Sequence, residues 1–209
     1  MTDRSRKLRK DAAENLDRLL DVATAVFAEE GFDTSIEVIA RRADVGLGTI
    51  YRRFASKAAL IDELARRLLA SAVEIGERHV DDAGGEGLVA YFWEIGALLA
   101  SQHGIVAKMW KVPGGEELIA RSRAAQGSLL ANAQRHGIVR AELVAEDVAV
   151  LCWSISGVLD VTRGLQPAPW RRHLELCVAG LRPSSWALRE KSLAPDEMDA
   201  IIFGYVSEQ

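Results

Sequence analysis

Apolar residues recur along most of the chain at the spacing of amphipathic helices, and no stretch alternates as a half-buried strand would. Two of the predicted helices are short and adjacent. The first has apolar residues at positions i, i+3, i+4 and i+7, which are Ile36, Ile39, Ala40 and Ala43. Asp44 and Val45 interrupt this pattern, and Gly46 and Gly48 are the residues expected where a chain turns sharply. The pattern therefore predicts a helix, a glycine turn and a second helix over residues 47–54.

The second short helix has a buried side and a polar side. Ile50 and Phe54 fall on its inner face. The outward side chains are hydroxyl, aromatic and basic, and they are Thr49, Tyr51, Arg52 and Arg53. Two short helices joined by a tight turn, the second of which exposes such groups, are typical of a helix-turn-helix that reads the DNA major groove.

The rest of the chain keeps helical spacing. A long helix is predicted to begin near Asp11 and end at Gly31, and Ser56 is predicted to cap another, whose apolar stripe reaches Ile75. Residues 81–87 give the clearest loop signal. Further helices are predicted over residues 88–102, 105–111, 116–136, 145–163, 170–181 and 195–205. The predicted fold class is all-α.

The short helices and their flanks carry a spaced set of residues: Ile39, Ala40, Ala43, Val45, Gly48, Ile50, Tyr51, Phe54 and Lys57. With the upstream segment 26–35, they resemble the TetR family of bacterial transcriptional regulators over residues 11–70. Gly46 stands where the family often has Ser, which removes a helix cap and phosphate donor. Arg53 stands where the family often has His, and it supplies a stronger phosphate or base ligand.

The resemblance implies an N-terminal helix-turn-helix head of three helices followed by a C-terminal helical bundle that binds a ligand and dimerises. We expect residues 1–10 to be a disordered basic arm and residues 11–55 to be the DNA-binding domain. Residues 56–209 are then the ligand-binding and dimerisation domain.

Charge supports this division. The net charge is −4, but residues 1–67 hold 13 basic and 12 acidic side chains, whereas residues 68–209 hold 13 and 18. An acidic body discourages unspecific contact with DNA outside the head. Within the basic arm, Arg6 and Arg9 are candidates for phosphate or minor-groove contacts, and the alternative is a solvated terminus.

The DNA contacts divide into two kinds. Leu47 and Thr49 begin the second short helix, where side chains reach base edges. The resemblance implies that Tyr51 and Lys57 hold phosphates, with Lys57 beside a helix N-terminus. Arg52 and Arg53 suit either role, and the alternative is that the three basic groups are only solvated surface charge.

The predicted bundle is rich in large apolar side chains. Candidates for lining a ligand cavity are Trp93, Met109, Trp110 and Trp153, and the polar groups that could orient a ligand are Gln102, His103 and Ser154. Any of them could equally be an ordinary core residue. Because the resemblance implies a small-molecule cavity here, we expect an effector that is apolar or aromatic.

Two late helices carry more apolar residues than one buried stripe needs. We therefore expect a homodimer that pairs these helices, with an interface formed by Leu151, Ile155, Val158, Leu159, Leu174, Val178 and Leu181. The alternative is a monomer in which the late helices are simply buried.

Several classes of protein are disfavoured. The four His residues lack metal-ligand spacing and no catalytic cluster is visible, so we expect no metal, no cofactor and no enzyme activity. Cys152 and Cys177 are expected to be reduced core residues. Without an uninterrupted apolar stretch of eighteen residues or a signal peptide, the sequence predicts a cytoplasmic protein that does not enter a membrane.

The function predicted from these patterns is a transcriptional regulator, in most cases a repressor, that binds a palindromic operator in double-stranded DNA as a homodimer. A small-molecule effector would release it from the DNA. One alternative is a helix-turn-helix protein controlled by a protein partner without a ligand. The other is a small helical enzyme.

Overall fold

The computed structural model describes residues 3–102, 105–162, 165 and 168–203, and it describes only the backbone of residues 3–14 and of Ala107. Within these residues the chain is helical and contains no strand, so the all-α prediction is confirmed. The helices are α1 Asp3–Glu30, α2 Ile36–Arg42, α3 Leu47–Arg53, α4 Lys57–His79, α5 Gly87–Ser101, α6 Val106–Met109, α7 Glu116–Arg135, α8 Ala145–Val161, α9 Pro169–Leu181 and α10 Pro195–Phe203.

Helix α1 begins earlier than the sequence pattern predicts. Its backbone is helical from Asp3 rather than from near Asp11, so the predicted start of the helix is wrong, and the disorder of residues 1–10 stays a prediction. No Gly or Pro occurs between residues 3 and 30, and the basic segment consists largely of Lys, Arg and Leu, which favour helix. Nothing in the local sequence therefore stops the helix before its N-terminal end.

Helices α1, α2 and α3 form the head. Val26, Phe27, Ile39 and Ile50 are buried where the three helices meet. On the surface, the Arg42 guanidinium of α2 lies 2.5 Å from the carboxylates of both Glu29 and Glu30 at the end of α1 (the hydrogen bond to Glu29 is the main reason that the pKa of Arg42 is raised). Exposed ion pairs add little stability. This one fixes the direction in which α2 leaves α1.

The turn between α2 and α3 depends on an aspartate, and not on a glycine. Asp44 has φ of 53°, whereas Gly46 is the N-cap of α3 with φ of −65° and Gly48 lies inside α3. The prediction of a glycine turn is therefore wrong in its position. Asp tolerates the left-handed region better than most residues, because its short side chain can hydrogen-bond to the nearby backbone. The amide of Val45 then donates to Ala40 O at 3.0 Å, which closes the end of α2.

Helix α4 runs from the head into the bundle. Ser56 caps it as predicted, with its Oγ accepting from the Ala59 amide at 3.2 Å. Arg67 contacts α1 through Asp17 O at 3.4 Å and Asp21 Oδ1 at 3.1 Å. Its neighbour Arg66 donates to the carbonyls of Pro113 and Gly114 in the loop after α6. Two consecutive arginines therefore join α4 to the head on one side and to the bundle on the other.

The bundle packs α5, α7 and α8 with the C-terminal half of α4. Gly76 of α4 lies so close to α7 that a Cβ there would be 3.0 Å from Ala125 Cβ. Helix α9 packs against α8 and α5, where Trp170 covers Gly96: a Cβ on Gly96 would lie 2.4 Å from the Trp170 ring. The contact at Gly96 requires glycine, whereas at Gly76 a larger residue would make a contact tighter than ordinary van der Waals contact. Together they fix where α4 and α9 sit on the bundle.

The C-terminal part of the chain crosses the bundle as a strap, residues 182–194, which ends in α10. The buried Arg140 guanidinium donates to the Trp186 carbonyl, and Arg182 lies 3.0 Å from Glu86 at the start of α5. Helix α10 begins at Pro195 as predicted and buries Met198 and Ile202 against the bundle. The strap therefore holds α10 over one side of the C-terminal domain.

The Asp44 turn gives the first testable prediction. Replacing Asp44 with Val should lower the free energy of unfolding by about 1–2 kcal/mol, because a β-branched residue is poorly tolerated at positive φ. Asp44→Gly should not destabilise the protein, since glycine adopts this conformation without strain. Urea unfolding of the two variants measures the difference. Equal destabilisation by Val and Gly would show that the aspartate side chain, and not the backbone conformation, is what the turn requires.

Candidate DNA-binding surface and effector site

Helix α3 presents the predicted DNA-contacting side chains together on one surface. Ile50 is fully buried beneath it, while Thr49, Arg52 and Arg53 are exposed and Leu47 and Tyr51 keep 37% and 46% of their surface open to solvent. Lys57 is half-buried at the N-terminus of α4, just beyond the end of α3. All six residues predicted on and beside the second short helix are therefore at least partly accessible to solvent.

A cleft of about 420 Å³ separates α3 from α1. It is lined by Asn15, Leu16 and Leu19 of α1, by Val45 of the turn, and by Thr49, Arg52 and Arg53 of α3. Neither arginine makes an ion pair with any side chain that the structure describes. Two guanidinium groups thus face an open cleft without a hydrogen-bonding partner among the described side chains, an arrangement suited to phosphate oxygens.

The cations of the head fall into two groups. Arg42 and Arg67 are neutralised by Glu29, Glu30 and Asp21 within the protein. Arg52, Arg53 and Lys57 have no ion-pair partner among the described side chains, and neither have Arg18 of α1 and Arg41 of α2. Three of these five cations therefore lie on or beside α3, although the whole chain is acidic.

The two arm residues stay a prediction. Arg6 and Arg9 lie within the first turns of α1, so their backbone is helical. Their side chains are outside the described residues. Contact between these arginines and DNA is not tested by the geometry.

Of the seven predicted effector-binding residues, the structure brings two together. Trp110 and Trp153 line one hollow of about 30 Å³, with room for no more than about two water molecules. Met198 and Ile202 of α10 fill the rest of this space, and Arg123, Gln126 and Glu146 provide its polar groups. None of these five additional residues was predicted, because their meeting depends on where α10 docks. The only signal in the sequence was the pair of polar residues, Arg123 and Gln126, on a helix face that is otherwise apolar.

Four of the other predicted residues lie elsewhere. Met109 is buried in the core, and the Trp93 ring packs on Trp170 at 6.1 Å between centroids. Ser154 donates to Leu151 O at 2.7 Å and lies 2.9 Å from His173 Nε2, on the outer side of α8 and α9. Gln102 lines a separate cleft of about 140 Å³ beside Arg67. His103 is outside the described residues.

A set of buried polar groups lies next to the hollow. Gln126 Nε2 donates to the Tyr91 hydroxyl at 2.9 Å, and Ser122 and Cys152 also hydrogen-bond to this tyrosine. Burial raises the pKa of Tyr91 well above its usual value, and burial raises the pKa of the Cys152 thiol to about 12. Both groups are therefore protonated at neutral pH. The prediction of a reduced core cysteine is confirmed for Cys152, whereas Cys177 is reduced but only half-buried.

The predicted dimer interface needs a correction. Leu151, Ile155, Leu159 and Leu174 are buried inside the protomer, so they belong to its core and a partner could not contact them directly. Val158, Val178 and Leu181 are half-buried. Because residues of the core and residues of an interface are equally apolar, the sequence pattern could not show which of these leucines are buried within the protomer. A charge at Ile155 would therefore disrupt the fold rather than the dimer.

A different face of α8 and α9 is open. Its residues on α8 recur at i, i+4, i+7 and i+11, and they are Val150, Ser154, Gly157 and Val161. On α9 it continues through His173, Leu176 and Gly180. Val161 and Leu176 are 86% and 59% exposed. A Cβ on Gly157 or Gly180 would meet nothing within 4 Å. We call this the α8–α9 face; its small residues would let a second helix pair approach closely.

The described part of the chain lacks two kinds of feature. No group of three or more His, Cys, Asp or Glu side chains is placed to hold a metal ion there. None of the described helices has both the length and the apolar character needed to cross a membrane.

Comparison with known proteins assigns the class. A family model for bacterial regulatory proteins of the tetR family matches residues 19–64, and a model for the C-terminal domain of SbtR-like transcriptional regulators matches residues 83–183. The chain is thus a DNA-binding regulator of the helix-turn-helix class. A TetR transcription regulatory protein from Mycobacterium vanbaalenii is 31% identical, with a TM-score of 0.63 over 84% of this chain and 99% of that one. The protein belongs to the TetR family of bacterial transcriptional regulators.

Two further relatives define how far the likeness extends. An HTH-type transcriptional regulator of Staphylococcus aureus is 36% identical over 76 residues, which are 36% of this chain and 41% of that protein. The match to this curated relative therefore spans less than half of its length. The TetR-like regulator LfrR from Mycobacterium smegmatis, solved in complex with proflavine, is 16% identical with a TM-score of 0.63 over 83% of this chain and 99% of that one, and it shares the fold.

The head geometry generates a prediction about the division of contacts. Lys57→Ala should weaken binding to every duplex alike and reduce the salt dependence by about one charge, because a phosphate contact carries no sequence information. Thr49→Ala should instead change the preference at one base position by about 1–3 kcal/mol. Fluorescence anisotropy on an operator and its single-base variants, at several salt concentrations, measures both.

Lys108→Ala, at an exposed position of α6 in the bundle, is the matched control and should change neither quantity. A uniform loss across all operator variants for Thr49→Ala would contradict the base-reading role.

Proposed function

We propose that this protein is a repressor that binds a palindromic operator as a homodimer and is released from it by a small-molecule effector. The observation that carries the proposal is the exposed surface of α3, where Arg52 and Arg53 line one cleft with Thr49 and have no ion-pair partner among the described side chains, in a chain whose family reads DNA with this element. Base edges would be read by Leu47 and Thr49, and phosphates would be held by Tyr51, Arg52, Arg53 and Lys57. Because bacterial DNA lies in the cytoplasm, we propose that the protein acts there.

The α8–α9 face supports the homodimer. Val150, Val161 and Leu176 expose apolar surface on one side of the C-terminal domain, and Gly157 and Gly180 leave room between them. A two-fold axis through this face would pair α8 and α9 with their copies in a four-helix arrangement. Such an axis places the two heads at symmetry-related positions, which is why the operator is expected to be palindromic.

The hollow beneath α10 supports control by a small molecule. Trp110 and Trp153 provide large apolar walls, and Arg123 and Gln126 provide polar groups that could orient a ligand. Helix α4, which carries the head, contacts the loop after α6 through Arg66, and Trp110 opens the same loop. An effector that preferred a different position of this loop would shift the population of head orientations.

A second candidate has one observation in its favour. With α10 docked the hollow holds only about 30 Å³, too little for an effector. A DNA-binding protein that is regulated by a protein partner would not need a larger ligand cavity. The small helical enzyme has no such observation in its favour, and the relatives described above are regulators.

Selection of genomic fragments retained by the full-length protein tests the function directly. We expect an inverted repeat whose half-site centres are one helical turn of DNA, about 10 base pairs, or a multiple of it apart. Repeating the selection with a panel of apolar and aromatic compounds should identify conditions in which the fragments are released. Enrichment of a single unsymmetrical site would contradict the dimeric reader, and retention of all sequences equally would contradict specific recognition.

The dimer surface has its own test. Gly157→Glu should give a folded monomer, because the position is open within the protomer but places a carboxylate in the proposed interface. Gly127→Glu on α7, where a Cβ also meets nothing within 4 Å, is the matched control and should remain dimeric. Sedimentation at micromolar concentration separates the two states. A dimeric Gly157→Glu variant, or an unmodified protein that is monomeric, would contradict the assignment of this face.

A further inference from the structure

Helix α10 occupies a trough that the rest of the domain forms. The floor and walls of the trough come from Trp110 in the loop after α6, from α7 and from α8. Met198 and Ile202 of α10 point into it and are almost fully buried, whereas Ile201 between them is 46% exposed. Residues 184–203 also lie beyond the segments that the two family models match. The docking of α10 is thus a feature of this chain that those matches do not assign.

Two hollows flank α10 within this trough. The inner one is the hollow of about 30 Å³ between Trp110 and Trp153, and the outer one, of about 320 Å³, extends along Val112 and Ile119. Trp110 and Ile202 line both of them. Withdrawal of Ile202 would therefore join the two into one space of the size that small-molecule sites occupy, about 300–1,000 Å³, with apolar walls on the inner side and Lys111 and Glu116 on the outer side.

The face of α10 in the trough has the chemistry of an amphipathic acid. Met198 and Ile202 are its apolar part, and Asp199 between them places a carboxylate on the Arg123 guanidinium. We propose that α10 is a resident plug of the effector site and that the effector is an apolar carboxylic acid. The effector displaces α10, its carboxylate takes the position of Asp199 on Arg123, and its apolar part lies against Trp110 and Trp153.

The charges around the trough favour an acid over an amine. Arg123 is the cation that loses its carboxylate when α10 leaves, and a buried or half-buried guanidinium gains most from a charged, bidentate acceptor. Glu146 also lines the inner hollow and would be the anchor for an amine. Arg123 would therefore favour an anionic ligand and Glu146 a cationic one, and the relative affinities of an acid and an amine distinguish the two residues.

The strap would keep α10 tethered to the domain when α10 leaves the trough. Residues 182–194 contain no helix, and they are fixed at Arg182 by Glu86 and at Trp186 by Arg140. A tethered plug competes with a ligand as a local species of fixed effective concentration. Any change that weakens the docking of α10 should accordingly raise the apparent affinity of the ligand by the same factor as it raises the undocked population.

The experiment measures binding of octanoate, octanol and octylamine to the full-length protein by isothermal titration calorimetry, without DNA. The unmodified protein should bind octanoate more tightly than either analogue. Met198→Ala/Ile202→Ala should raise the affinity for octanoate about tenfold, and Ile201→Ala, on the exposed side of the same helix, should leave it unchanged. Asp199→Asn should also raise it, in contrast to Asp196→Asn at the exposed start of α10. Arg123→Gln should abolish the preference of octanoate over octanol.

Three results would overturn the proposal: octanol binding as tightly as octanoate, octylamine binding most tightly, or octanoate affinity that does not respond to the α10 substitutions. Asp199→Asn is a conservative change at a half-exposed site, so the test holds even if the double alanine variant does not fold. The inference uses the proposed function only for the claim that the ligand of this site controls DNA binding. If octanoate binds but does not release the operator, the control of DNA binding is refuted and the role of α10 as a plug is not. If the protein binds its operator but does not bind octanoate, only the plug is refuted.

Discussion

The arrangement of the protein depends on helix α4, because the head and the bundle both pack against it. Leu64 and Leu68 lie beside Asp21 of α1, to which Arg67 is also joined at 3.1 Å. About two turns further along, Gly76 allows α7 to approach until only small side chains separate the two helices. The head therefore cannot change its angle to the bundle without moving a helix that the bundle also packs against. A ligand-dependent regulator requires this kind of connection.

The ion pairs of the head separate structural cations from those that are available to DNA. Arg42 and Arg67 fix α2 and α4 to α1 through Glu29, Glu30 and Asp21. Exposed pairs of this kind contribute orientation more than stability. Arg52, Arg53 and Lys57, which have the same charge, lack such acidic neighbours among the described residues. An acidic protein can for this reason still present a positive surface at one end.

The parts of the structure that the sequence predicted are those with a local cause. The 3.6-residue period placed Ile50 inside and Thr49, Arg52 and Arg53 outside, and a capping serine marked the start of α4. Two local predictions failed. The positive φ of the turn, which we expected at Gly46 or Gly48, is at Asp44. Helix α1 begins at Asp3 and not near Asp11, because the residues of the basic segment favour helix. The sequence pattern could not predict tertiary contacts. Leu151 and Ile155 are apolar whether they face the core or a partner. Met198 and Ile202 pack beside Trp110, from which they are far apart in the sequence.

The proposed dimer and α4 would hold the two heads at a fixed separation, and the dependence of binding on half-site spacing tests this most directly. Anisotropy titrations would use the selected operator and versions with 1 to 10 base pairs inserted between the half-sites. Rigidly held heads predict a loss of affinity that is greatest near half a turn, about 5 inserted base pairs, since the second half-site then faces away. Affinity that is independent of spacing would contradict the account, because it would mean that each head binds its half-site without being positioned by the other.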